Sequence, residues 1–260
     1  MKTYNKWISV GIWIVAALLL WQLAAYVLAA WSNDPLAGKK LPYLQDMVTS
    51  FADNAGYLLT QAGVTMQYAA LGFLVGTLVG SLLALGMRIS NLIERMMLPY
   101  LLLSQMIPIL GLAPIIFSLF KTLNAARIVI AAYITFFPVT MSLLNGLKSV
   151  DEDRLNMIHS FAASPWQRYT KLLIPFSLPY LFTGMKIAAP VAVSAAVLVD
   201  TLSSQDGIGY VIVLTLYGGG TVGQFWPALL LAALMGLGSM LIIQLLEHIL
   251  VPRGLRKEGI

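Results

Sequence analysis

Residues 149–179 read SVDEDRLNMIHSFAASPWQRYTKLLIPFSLP, the longest polar interruption between two apolar runs of the chain. The stretch carries its own helix signals. Ser149 and Glu152 have capping-box spacing, in which the serine oxygen meets an orphan N–H and the carboxylate reaches back. Asp151, Glu152 and Asp153 put negative charge at the positive end of the helix dipole. Leu155, Ile158 and Ala162 follow at helical spacing, with Met157 and Phe161 beside them. A second helix restarts at Ser164-Pro165, a serine N-cap followed by proline at the first helical position. The pattern predicts two short helices, broken at Ala162-Ala163, outside the bilayer between two membrane spans.

The rest of the chain supplies those spans. At 260 residues it is 59% hydrophobic and only 10% charged, with mean hydropathy +0.82, against roughly 25% charged for an ordinary soluble domain. These figures describe an all-α polytopic membrane protein and exclude a soluble enzyme. The net charge of +5 reads as basic loops facing the cytoplasm, with no call for nucleic acid. Without cysteine there is no disulfide framework and no thiolate metal site.

About six spans are expected. The first runs from Trp7 to Trp31, longer than a signal-peptide core, with tryptophan anchors at both ends. Residues 32–56 form an outer loop, with an amphipathic surface helix after Pro42. Residues 1–57 thus hold the first span and this loop, and 58–252 the core bundle of a single domain. The second span, Leu58 to Met87, carries Gly72, Gly76 and Gly80 every four residues, a ridge for close helix packing. Arg88 to Met97 is a basic turn. The third span, Leu98 to Phe120, is broken by Pro99, Pro108 and Pro114. Lys121 to Arg127 is an outer loop, Ile128 to Leu147 the fourth span, and Phe176 to Leu202 the fifth. The Gly-rich segment 203–225 dips partway into the membrane or lies outside it, and Trp226 to Val251 is the sixth span.

With the N-terminus inside, Lys2, Lys6, Arg88, Arg95, Lys148, Arg154, Arg168, Lys171, Arg253, Arg256 and Lys257 fall in the cytoplasm. Lys39, Lys40, Lys121 and Arg127 fall outside. The bias has the sign of the positive-inside rule. It places both termini and residues 149–175 in the cytoplasm.

The quoted stretch resembles the coupling loop, or EAA loop, of permease subunits in bacterial binding-protein-dependent ABC importers. That family's Glu-Ala-Ala, three residues, Gly, nine residues, Ile-x-Leu-Pro falls here on Asn156-Met157-Ile158, Ala162 and Leu172-Leu173-Ile174-Pro175. Asn156 replaces the glutamate and Ala162 the glycine. The flanking ASPWQRY and IPFSLPYLFTGMKIA resemble the branch importing sulfonates, taurine, nitrate and the thiamine pyrimidine. The resemblance implies a type I importer bundle in the bacterial inner membrane. It also implies a partner ATPase dimer that binds ATP and Mg, a periplasmic or lipid-anchored solute-binding protein, and a second permease subunit, identical or different. Asn156, Met157, Ile158, Phe161, Ala162, Ala163, Ser164 and Pro175 would then meet the ATPase.

Chemistry of the chain's own is not legible. No G-x-x-x-x-G-K-[ST] loop is present to cradle ATP. His159 and His248 are the only histidines and lack metal-ligand spacing. A secondary transporter or channel, the alternative reading, would need its own coupling-ion site and visible pseudo-repeats. Lys186 and Asp200 are charges inside the fifth span, expensive there and hence candidate solute contacts. Fourteen residues apart, they lie about 21 Å apart along the axis and cannot pair. Either both face one passage or each has a partner on another span. Gln105 and Asn145 are further polar candidates for the solute path.

Overall fold

The computed structural model describes residues 2–31, 40–203, 205–218 and 223–252. Lys39, Arg253, Arg256 and Lys257 of the charge count lie outside them. The described residues form ten α-helices and one wide π turn, and no strand. They are α1 (Lys2–Trp31), α2 (Leu44–Ile89), α3 (Asn91–Met106), α4 (Ile109–Phe120), α5 (Leu123–Lys148), α6 (Glu152–Ser160), α7 (Pro165–Arg168), the π turn Tyr169–Leu173, α8 (Ile174–Ser203), α9 (Ile208–Leu216) and α10 (Phe225–Leu250). Five are long and apolar enough to cross a membrane, or six spans if α3 and α4 count as one broken span. α9, at nine residues, is too short to cross.

The chain divides into two compact units, Met1–Leu59 with Val211–Leu230, and Thr60–Tyr210 with Leu231–Ile260. In the first unit α1 is exposed nearly all round, as suits a helix whose neighbours are lipid tails. Its few polar groups tie it down. Trp21 donates from Nε1 to the Pro42 carbonyl at 3.0 Å and stacks edge-on against Trp226 at 4.8 Å. Gln22 Oε1 accepts from the Leu44 N–H at 3.2 Å, meeting one of the orphan donors that begin α2. Gln224 donates to Asn54 Oδ1 at 2.7 Å.

In the second unit α5 and α8 pack along most of their lengths. Gly184 lies against the backbone of Pro138 and Val139, and Gly146 against the Tyr180 ring; a Cβ on Gly146 would fall 2.6 Å from Tyr180. Gly72, Gly76 and Gly80 face α5 in the same way. A Cβ on Gly76 would meet the Ala132 carbonyl at 2.6 Å, and one on Gly80 the Phe136 carbonyl at 2.5 Å. The ridge therefore packs within one subunit, where backbone contact replaces the hydrophobic drive that lipid removes.

Several boundaries differ from the sequence reading. The expected surface helix and second span are one helix, α2, of 46 residues, because Gly56 and Gly63 sit in open space and nothing interrupts the backbone ladder. The basic turn shrinks to Ser90, an extended N-cap whose side chain accepts from the Leu92 N–H. Of the three prolines in the third span only Pro108 breaks it, turning the chain by 97°. The residue before it, Ile107, is extended, as a pre-proline residue prefers. Pro99 and Pro114 stay inside helices.

Candidate functional site

Residues 149–175 form two linked helices as the sequence suggests, with one cap reassigned. Asp151, not Ser149, is the N-cap of α6, accepting from the Arg154 N–H at 3.2 Å. Ser149 instead ends α5, its hydroxyl donating to the Gly146 carbonyl at 2.9 Å. The Ser149–Glu152 box thus fails because α5 runs through Lys148 and leaves Ser149 as its C-cap. α7 opens with a full capping box. Ser164 Oγ accepts from the Gln167 N–H at 3.3 Å and Gln167 Oε1 from the Ser164 N–H at 2.9 Å, with Pro165 at the first position.

Between them Ala162 takes φ +51°, the left-handed conformation a glycine adopts freely. The break thus keeps a glycine's geometry without the glycine. The Ala163 N–H donates to the Ile158 carbonyl at 3.4 Å, closing the end of α6. Beyond α7 the Ile174 N–H bonds to the Tyr169 carbonyl, five residues back, and the chain runs straight into α8. Pro175, half-buried, lies in the first turn of α8.

The loop has two faces. Leu155, Tyr169, Leu172 and Leu173 pack on a cluster that includes Met87, Leu144, Leu147 and Val150. Arg154 lies over the Phe176 ring at 5.0 Å, joining α6 to the start of α8. Ile158 is half-buried and Asn156 and Ala162 are exposed. On the outer face Met157 is 57% exposed, Phe161 77% and Trp166 76%. Trp166 was not singled out from sequence; its signal was its place just after a serine–proline helix start.

The four candidates for the solute path are not brought together. Asp200 is 1% exposed and Arg127 fully buried, although the sequence puts Arg127 in an outer loop. α5 begins at Leu123 and carries Arg127 inward. Its Nε donates to Asp200 Oδ1 at 2.7 Å, Nη1 to Asn124 Oδ1 at 2.9 Å and Nη2 to Asp206 Oδ1 at 2.6 Å. The guanidinium also lies 5.2 Å from the Tyr68 ring centre. Thr65 of α2 donates to Asp200 Oδ2 at 2.6 Å and accepts from the Ile208 N–H at 2.8 Å, while Gln61 accepts from the Gly207 N–H at 2.6 Å. Gly207 has φ +94°, and a Cβ there would collide with the Asp200 carboxylate. One buried node thus joins α2, α5, α8 and the start of α9.

Lys186 pairs with Glu247 of α10 at 2.9 Å, both partly buried. Asn145 is exposed in the last turn of α5, at the end of a span and not in its middle. Gln105 is exposed beside the 97° bend. Among the described residues no group of three or more His, Cys, Asp or Glu side chains is placed to hold a metal ion.

The family described as binding-protein-dependent transport system inner membrane component matches residues 76–254. The formylaminopyrimidine transport permease protein ThiX of Halalkalibacterium halodurans is 27% identical over 97% of this chain and 98% of its own. A "Probable ABC transporter permease protein" of Haemophilus influenzae is 31% identical over 75% of this chain and 78% of its own. An amino acid ABC transporter crystallised with histidines shares the fold, with TM-score 0.61 at 16% identity, over 78% of this chain and 98% of that one. With its bundle of apolar helices and a family match over more than half its length, the chain belongs to the binding-protein-dependent inner membrane components, the permeases of ABC importers.

Proposed function

We propose that this permease carries a small polar solute across the bacterial inner membrane and takes its motion from a separate ATPase dimer through α6 and α7. One observation carries the coupling: Met157, Phe161 and Trp166 are large apolar side chains left exposed on a pair of well-capped helices. Burial in a groove of the ATPase would remove them from water at about 25 cal/mol per Å². Movement of the groove then reaches α8 by two routes, the continuous backbone through the π turn and the Arg154–Phe176 contact.

ATP and Mg belong to the ATPase, since this chain has no phosphate loop. A second permease copy completes the passage, and a periplasmic or lipid-anchored binding protein delivers the solute. The solute belongs to the sulfonate, taurine, nitrate and thiamine-pyrimidine range, and the likeness to ThiX over nearly the whole chain favours the pyrimidine. Both termini and residues 149–175 face the cytoplasm. In this reading the Arg127–Asp200 and Lys186–Glu247 pairs clamp α8 to its neighbours, while Gln105 and Asn145 stay on the solute path.

The test is the double variant Met157→Ala, Phe161→Ala in the complete transporter. Loss of two anchors of about 2 kcal/mol each predicts ATPase binding weakened by several hundred-fold and uptake lost with it. Copurification of the ATPase and uptake at the parent level would refute the coupling role.

A further inference from the structure

The bend between α3 and α4 leaves main-chain oxygens without a donor, where a lipid environment does not accept them. From Arg95 to Met106 α3 rises about 17 Å, near the middle of a hydrocarbon core of about 30 Å. There Pro108 has no N–H to give the Ser104 carbonyl. Tyr133 of α5 fills that role, its hydroxyl donating to the Ser104 oxygen. The next three oxygens have no such help. Among the described residues no donor meets the carbonyls of Gln105, Met106 or Ile107. All three residues are exposed, and the Gln105 amide reaches only its neighbour, Ser104 Oγ, at 3.5 Å.

Non-helical backbone at membrane depth is tolerated only where protein buries it or water reaches it. Among the described residues of its own unit nothing buries this bend. The span from Leu98 to Phe120 also carries no charged side chain, so its polar character comes from uncharged groups, the amides and the hydroxyls of Tyr100, Ser104 and Ser118. We propose that Gln105, Met106 and Ile107 form part of the wall of the water-filled solute path, meeting a hydrated polar solute through main-chain oxygens. This assignment rests on the reading of the chain as the solute-conducting subunit. It makes the Tyr133–Ser104 bond the support of an intended break in the helix.

The cysteine-free chain allows a direct test. Gln105→Cys, Met106→Cys and Ile107→Cys are compared with Leu102→Cys and Ile115→Cys, exposed apolar positions on the same two helices. Each is assembled into the complete transporter in liposomes and treated with a charged, lipid-insoluble methanethiosulfonate. Modification at the three bend positions at least tenfold faster than at the two controls is the expected result. Equal rates would overturn the assignment. So would a disulfide between two copies at Met106→Cys with no modification by the reagent, since a second subunit would then seal the bend. ATP-driven uptake by the parent chain is scored in parallel. A silent bend with intact uptake removes this assignment alone, whereas failed coupling leaves the labelling rates interpretable.

Discussion

Arg127 places a permanent positive charge among three helices with no exposed surface of its own, and the fold meets it with two carboxylates, an amide and an aromatic face. Removing one partner of such a pair costs about 3–5 kcal/mol, because the other charge is left desolvated and alone. Arg127→Ala is therefore expected to lower the thermal midpoint of the detergent-solubilised protein sharply. The double variant Arg127→Met, Asp200→Leu should recover most of the loss, since apolar replacement of both partners is close to neutral. A double variant no more stable than Arg127→Ala would refute the pairing. The sequence showed Asp200 as an expensive charge needing an explanation. It hid Arg127, because six residues beyond the exposed Lys121 nothing marks the point where a helix turns an arginine inward. Glu247 was hidden likewise, as a carboxylate near a span end with an ordinary route to the interface.

The helical pair after α5 was legible in outline because caps are local: a hydroxyl or carboxylate, an orphan N–H and a proline at the first position all lie within four residues. The Ser149 cap failed because where α5 stops depends on its packing along α8. Ala162 gives the loop a testable element. An alanine in the left-handed region is disfavoured by roughly 1–2 kcal/mol relative to its ordinary conformations, and glycine is not. Ala162→Gly should therefore stabilise the break by about 1 kcal/mol, raising the resistance of the α6–α7 segment to limited proteolysis by about fivefold. Unchanged or faster cleavage would argue against the left-handed turn. The length of α2 escaped the sequence reading because that reading ends the outer loop at Gly56, yet an isolated glycine only weakens a helix by about 1 kcal/mol.

At the scale of the molecule, composition and the spacing of apolar runs were enough to give the bundle, since a bilayer admits few ways to satisfy the backbone. What stayed illegible was which spans meet, because glycine ridges and buried ion pairs join residues up to 73 positions apart. The proposed orientation is firmer with Arg127 counted inside the fold, leaving only Lys39, Lys40 and Lys121 outside. Alkaline phosphatase, active only beyond the inner membrane, should accordingly be active when fused at Thr122 and silent at Ser149; the reverse pattern would invert the topology. The five-residue π turn at Tyr169 has one more consequence. Such a turn holds a surplus residue within an otherwise regular helix, and at 100° per residue its removal would swivel Trp166 by more than a quarter of a circle about the axis of α8. The compass bearing of the tryptophan relative to everything downstream is thus set by the count of one amino acid.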